Sequence, residues 1–216
     1  MLRAMAVDLS LQSQTPRVEL GRRFDGWTTD RVIAAGMAVA LTAVVAQAIT
    51  QIVDFSVYDL RIGALNSDVH ASIFGVLSLI AEGVMAVAAG FRGLHSHQRS
   101  RWLGLAALAA ALVAVRAALP GSAAAFAVPC AAVFALVWSL TSADPRAART
   151  VVLASLYLLV FSFAIHIVEL ELGNVGKSWP DEIKCLFKHS AELSGWILLA
   201  SGVVAGMLPD RPDAVS

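Results

Sequence analysis

The sequence predicts an all-α protein: a polytopic integral membrane bundle of six transmembrane helices. The chain has 216 residues, of which 58% are apolar and only 15% charged, and its mean hydropathy is +0.72. Ordinary soluble domains contain about 45–50% apolar and about 25% charged residues, so a soluble core has no room for this much apolar surface. The lipid bilayer is therefore the predicted partner. The formal net charge of zero indicates no nucleic-acid partner.

Six apolar segments carry this prediction. A helix that crosses a bilayer needs about 20 mostly apolar residues, and segments of this kind occupy residues 32–53, 71–91, 102–119, 122–140, 151–168 and 190–208. Pro120 and Gly121 alone separate the third and fourth segments, which predicts a tight helical hairpin. The third segment could instead be a buried or re-entrant piece.

The domain organisation follows from these segments. Residues 31–208 form one transmembrane bundle. Residues 1–30 are a cytoplasmic segment that is either interfacial or disordered, and residues 209–216 form a flexible cytoplasmic tail.

Basic residues are divided unevenly between the two sides of the predicted bundle. With a cytoplasmic N-terminus, that side receives Arg3, Arg17, Arg22, Arg23, Arg31, Arg92, Arg99, Arg101, Arg146, Arg149 and Arg211. The other side receives Arg61, Lys177, Lys184 and Lys188. Because Lys and Arg concentrate in the cytoplasmic loops of membrane proteins, both termini are predicted to be cytoplasmic, in a multi-pass protein of the cell membrane.

Two copies of the pattern His-x-x-Glu interrupt the apolar background: His166 with Glu169, and His189 with Glu192. Ionisable groups at membrane depth are costly unless they are paired, hydrated or bound to something. Imidazole and carboxylate one helical turn apart can bind a divalent metal, and di-iron bundle proteins use the reverse order, Glu-x-x-His. With His70 at the outer start of the second segment, the sequence predicts a zinc or iron site that faces the extracytoplasmic side.

Further polar residues lie at the same predicted level. Gln47, Thr50, Gln51 and Asp54 form one stripe at helical spacing on the first segment. We expect Gln51, Asp54, Asp68 and Arg116 to contribute to cofactor binding.

The histidines allow a catalytic version of this site. His70, His166 and His189 could hold a zinc ion with an open position for water, as in hydrolytic zinc sites. Glu192, Glu169 or Asp68 would then act as general base or would orient a ligand. On this interpretation the protein is a metal-dependent membrane enzyme.

Residues 66–70, Asn-Ser-Asp-Val-His, give this interpretation a resemblance to a known family. They resemble the Asn-x-x-x-His element of the progestin and adipoQ receptor group of membrane zinc hydrolases. That group has seven spans and a His-x-x-x-His in its last helix, whereas this chain has six apolar segments and His189-x-x-Glu192. We therefore do not infer membership.

Glu82 supports a different class of function. It lies near the middle of the second segment, where a carboxylate must be protonated or paired, and Arg116 is the one cation within a predicted span. The two residues are a predicted buried pair. A proton- or cation-handling transporter or channel would use Glu82 as its protonatable site. A third alternative is haem bound by two of the outer histidines, with Arg116 near a propionate.

Small residues indicate close packing. Gly202 and Gly206 form a small-xxx-small pattern, which is typical of tightly packed membrane helices and predicts a homo-oligomer contact. Cys130 lies within an apolar segment and Cys185 in a predicted loop, so no disulfide is expected between them.

Overall fold

A computed structural model of the protein describes residues 27–58, 62, 64, 72–118, 123–172 and 178–208, except for the side chains of residues 123–129 and 166–172. These residues contain six α-helices and no β-strand. The helices are α1 (Thr29–Tyr58), α2 (Ile73–Leu94), α3 (Arg99–Ala118), α4 (Ala123–Leu140), α5 (Arg146–Leu172) and α6 (Trp179–Ala205). The all-α prediction is thus confirmed for the described residues. Of the predicted terminal segments, 1–30 and 209–216, residues 1–26 and 209–216 lie outside the described residues, and α1 already begins at Thr29.

Each predicted apolar segment coincides with a helix, but α6 begins well before residue 190. Ser178 caps it, because its hydroxyl accepts a hydrogen bond from the backbone N–H of Asp181 at 3.4 Å. Pro180 stands in the first turn, and Asp181 and Glu182 carry negative charge there, as a helix N-terminus favours. The prediction that Cys185 lies in a loop is therefore wrong, because Cys185 is a buried residue of α6.

Among the described helices, α6 occupies the centre of the bundle. It packs against α5, α1 and α2. On the far side of α2, α3 packs against α2, and α4 packs against α3 with a small contact to α5. The helices therefore form two groups, α1–α5–α6 and α2–α3–α4, which meet chiefly where α2 lies against α6.

Glycines bring α6 close to its neighbours. A Cβ on Gly195 would lie 2.7 Å from Cγ of Leu159, and one on Gly202 would lie 2.6 Å from Cγ2 of Val152. On the other face of α6, a Cβ on Gly36 of α1 would lie 2.2 Å from Oγ of Ser201. Backbones can approach this closely only where one of them has no side chain.

Both glycines of the small-xxx-small pattern are buried within the chain. Gly202 packs on α5, and a Cβ on Gly206 would lie 2.4 Å from Oδ2 of Asp144. Their close-packing role is internal to this fold. A homo-oligomer contact through the same surface stays a prediction.

Four of the described helices are long and apolar enough to cross a membrane: α1, α2, α3 and residues 146–165 of α5. They expose large apolar side chains on their outer faces, including Leu41, Ile80 and Phe161, and are compatible with an integral membrane protein. Helix α6 does not qualify because its first half carries five charged residues, Asp181, Glu182, Lys184, Lys188 and Glu192. Because α6 is the central helix, its polar side chains pack against protein. The hydropathy of such a helix does not by itself show whether the helix lies within a membrane.

The two ends of the bundle differ in charge. One, the arginine-rich end, contains the start of α1, the end of α2 and the end of α6. There the Thr29 hydroxyl of α1 donates to the carbonyl oxygens of Ala205 (3.2 Å) and Leu208 (3.1 Å). The opposite, acidic end contains Asp54, Asp181 and Glu182. Which end faces the cytoplasm stays a prediction from the arginine asymmetry.

Candidate functional site

A cluster of charged side chains lies inside the bundle where α2, α3 and α6 meet. The Arg116 guanidinium forms one ion pair with Oε1 of Glu82 and a second with Oε1 of Glu192. The other carboxylate oxygen of Glu192 lies 3.5 Å from Nδ1 of His189. We call these four residues the ionic array. The predicted pair of Glu82 and Arg116 is confirmed, and Glu192 is an additional partner of the same guanidinium.

The long Arg116 side chain makes this convergence possible. With a rise of about 1.5 Å per residue, Glu82 and Glu192 lie about 20 Å from the arginine-rich ends of their helices, whereas Arg116 lies about 25 Å from it. Side chains on a helix tilt toward its N-terminus. The N-terminus of α3 is at the arginine-rich end, so the tilt carries the Arg116 guanidinium back to the level of the two carboxylates.

The ionic array is largely shielded from solvent, and its charge is not fixed by the two ion pairs. The Glu82 side chain is 1% exposed and that of Arg116 14%. Two carboxylates share one guanidinium, so the net charge depends on proton occupancy and on two further groups beside Glu192: the titratable His189 and the buried Lys188. Oε2 of Glu82 has no hydrogen-bond partner among the described residues.

A second buried polar region lies between α1 and α6, toward the acidic end. Gln51 Nε2 donates to Oε2 of Glu182 at 2.6 Å. Asp54 Oδ1 accepts from the backbone N–H of Ile62 at 3.1 Å. Gln47, one turn before Gln51, is fully buried. Gln47, Gln51 and Asp54 of the stripe thus face protein, whereas the Thr50 hydroxyl donates to the carbonyl oxygens of Ala46 and Gln47 in its own helix. Gln51 and Asp54 contact α6 and the following chain segment, and not the ionic array.

The register of α5 against α6 relates the two His-x-x-Glu pairs. Gly195 of α6 lies against Leu159 of α5. Seven residues further along α6, Gly202 lies against Val152, which is seven residues before Leu159 on α5. Extending this antiparallel register by seven residues in the other direction brings the backbone of His166 level with Lys188, next to His189. The two histidines are therefore on neighbouring helices at one level.

Each glutamate follows its histidine by three residues. Because α5 and α6 are antiparallel, the backbones of the two glutamates lie on opposite sides of the histidine level. From the level of the histidines, Glu169 is one turn closer to the acidic end and Glu192 one turn closer to the arginine-rich end. Their backbones are about 10 Å apart along the helix axes. In this register the backbones of the two histidines share one level, whereas the backbones of the two glutamates do not.

Several predicted ligands lie outside the described part of the structure. These are Asp68 and His70 with all their atoms, and His166 and Glu169 with their side chains. Among the described side chains, no group of three or more His, Cys, Asp or Glu residues is arranged to hold a metal ion. The predicted metal site therefore stays a prediction, and Glu192, one of its four main ligands, is engaged by Arg116.

Two polar contacts between distant parts of the chain were not predicted from the sequence. Glu182 precedes the sixth apolar segment and belongs to α6, as the helix-start pattern of Ser178, Pro180 and Asp181 indicates. At the arginine-rich end, Arg92 pairs with Asp144 (Nη1 to Oδ2, 2.8 Å) and lies 4.2 Å from the ring centroid of Trp102. A loop aspartate gives no sequence signal for such a contact.

No protein-family profile matches the chain, and comparisons with curated proteins and with solved structures also found no match. The residues themselves therefore carry the functional argument.

Proposed function

We propose that the protein is a proton-handling membrane transporter or channel and that the ionic array is its proton-binding centre. The observation that carries this proposal is the sharing of one guanidinium, Arg116, between carboxylates of two different helices deep in an apolar bundle. Ionisable groups at such depth are rare in membrane proteins and typically serve ion pathways and proton relays.

The array offers sites where a proton can be gained and lost. Glu82 has a second carboxylate oxygen without a protein partner among the described residues, and His189 can take a proton while it contacts Glu192. A proton on Glu82 weakens the attraction between Glu82 and Arg116 and leaves the guanidinium to Glu192; a proton on Glu192 does the reverse. Proton binding therefore changes whether Arg116 is paired with α2, through Glu82, or with α6, through Glu192.

The sidedness of this proposal rests on the arginine asymmetry. We propose that the arginine-rich end faces the cytoplasm and that the acidic end faces the extracytoplasmic side of the cell membrane. Protons would then reach the array from the acidic end, which contains Asp54, Glu182 and Asp181, the last of them paired with Lys184 at 3.6 Å.

Proton flux into liposomes that contain the purified protein tests this function. With an imposed pH gradient and a trapped pH-sensitive dye, Glu82→Gln should abolish the protein-dependent flux, because glutamine keeps the shape of the side chain but cannot exchange a proton. The matched control is Asp144→Asn, which neutralises a loop carboxylate in the ion pair with Arg92 at the other end and should retain flux. Wild-type flux from Glu82→Gln would overturn the proposal.

A second candidate is a metal or haem site between α5 and α6, and the common level of His166 and His189 favours it. Two imidazoles on neighbouring helices can ligate zinc or iron, or both axial positions of haem. His70 and Glu169 are the further ligands that we propose. A metal-dependent membrane enzyme would follow if such a site kept an open position for water.

A further inference from the structure

A seam of polar side chains leads from the acidic end into the bundle between α1 and α6. Gln47, Gln51 and Asp54 lie at i, i+4 and i+7 of α1, which puts them on one helix face, and each is at most 2% exposed. This face is turned to α6, since Gln51 donates to Glu182 across the interface. We call Gln47, Gln51, Asp54, Glu182 and Ser190 the polar seam.

The hydrogen bonding of the polar seam is incomplete within the described protein. Both side-chain polar atoms of Gln47, Oδ2 of Asp54 and Oγ of Ser190 are buried without a protein partner there. Buried polar groups are nearly always satisfied, and where protein groups do not serve, ordered water does. Gln47 therefore indicates a position where water is bound, because without water both its amide nitrogen and its amide oxygen would be buried without a hydrogen bond.

The inner part of the polar seam adjoins the ionic array. Gly36 lies against Ser201, and Gln51 bonds to Glu182, which together define the antiparallel register of α1 and α6. Counting inward from either contact brings Gln47 level with residues 186–190 of α6. These residues include His189, the outermost member of the ionic array, and Ser190 of the seam.

We infer that the polar seam is a water-filled path that carries protons between the acidic end and the ionic array. This inference rests on the proposed proton-handling function and adds the route and the residues that line it. Asp54 and Glu182 are the buried carboxylates of the outer part of the seam, Gln47 and Ser190 hydrogen-bond the water deeper in, and His189 accepts the proton beside Glu192, with the buried Lys188 as a neighbouring cation. Each step moves a proton along hydrogen-bonded water, and no other bond is formed or broken.

Thiol labelling tests whether the path holds water, independently of transport. In full-length protein with Cys130 and Cys185 replaced by alanine, Gln47→Cys should react with a positively charged methanethiosulfonate reagent. The control is Val45→Cys, at nearly the same depth on an exposed apolar face of α1, which should not react. An unreactive Gln47→Cys, or equal reaction at both positions, would overturn the path.

The facing wall provides a second, separate pair of variants. Ser190→Cys should react and Phe187→Cys, whose side chain is exposed on α6, should not. This pair decides the question if the α1 variants do not fold.

Proton flux separates failure of the path from failure of the proposed function. Gln47→Leu should lower the flux at least tenfold while thermal unfolding occurs at the same or a lower temperature. If Glu82→Gln abolishes flux while Gln47→Leu leaves it unchanged or raises the Tm, the function stands and the path is wrong. If Glu82→Gln leaves flux unchanged, the proposed function is wrong whatever the labelling result.

Discussion

Glu82 accepts a hydrogen bond from Arg116 across the interface between α2 and α3, near the middle of α2, where it is the one acidic residue of that helix. The second ion pair of Arg116, with Glu192 of α6, makes the guanidinium a junction between three helices. The stability of the bundle and the proposed chemistry thus depend on the same side chain.

Removing Arg116 should destabilise the fold strongly. Arg116→Gln leaves two carboxylates in the bundle without their guanidinium, and breaking a buried ion pair from one side typically costs about 3–5 kcal/mol. Denaturant unfolding in detergent measures the change. Adding Glu82→Gln and Glu192→Gln to the same protein should restore most of the loss, because the two carboxylates that Arg116 neutralised are then uncharged as well. If Arg116→Gln were as stable as the wild type, water would be stabilising the two carboxylates in place of Arg116.

Glycine positions on α6 should tolerate no methyl group. Gly195→Ala brings a Cβ within 2.7 Å of Leu159 Cγ and 3.3 Å of the Ser155 carbonyl oxygen, and overpacking of this kind costs about 1–3 kcal/mol. The control is Gly104→Ala on α3, where no described atom lies within 4 Å of the new Cβ. It should be neutral or stabilise by about 0.5–1 kcal/mol through helix propensity. Thermal unfolding of both variants provides the comparison, and a stabilised Gly195→Ala would contradict the close approach of α5 and α6.

Metal content distinguishes the second candidate function. If His166 and His189 are ligands, His166→Ala and His189→Ala should each remove most of the zinc or iron found by elemental analysis of the purified protein, because the loss of one ligand weakens the remaining geometry. The controls are His95→Ala and His97→Ala, both exposed at the arginine-rich end. Haem would show a Soret band that the same two substitutions at His166 and His189 remove. Unchanged metal content in both variants would rule out this site.

Sidedness can be measured with single cysteines in intact cells. Cysteines at positions 64 and 176 should react with an impermeant thiol reagent, and cysteines at positions 96 and 146 should react only after the cells are opened. The four positions lie in chain segments between or at the ends of the helices, so substitution there leaves helix packing intact. The reverse labelling pattern would turn the acidic end to the cytoplasm and reverse the proposed direction of proton access.

The sequence was informative where a single property decides the structure. Runs of apolar residues located all six helices, and the pair of Glu82 and Arg116 followed because Glu82 lies in mid-span and Arg116 is the one cation within the predicted spans. The partnership of Arg116 with Glu192 did not follow, because it requires that α6 lie beside α2, an arrangement set by tertiary packing. The start of α6 was missed because its first turns are polar, and a hydropathy criterion takes a polar helix for a loop.

The division of the bundle into two helix groups gives the ionic array a mechanical meaning. The Glu82–Arg116 pair lies within the group α2–α3–α4, whereas the Arg116–Glu192 pair crosses to the group α1–α5–α6. At the arginine-rich end, Arg92 also crosses, through Asp144 and the carbonyl oxygen of Val203 at 3.4 Å. Two charged contacts thus join the groups at different depths. A single proton on Glu192 would weaken the contact made by Arg116 and leave the one made by Arg92 in place, so that the attraction between the two groups would fall first on the acidic side.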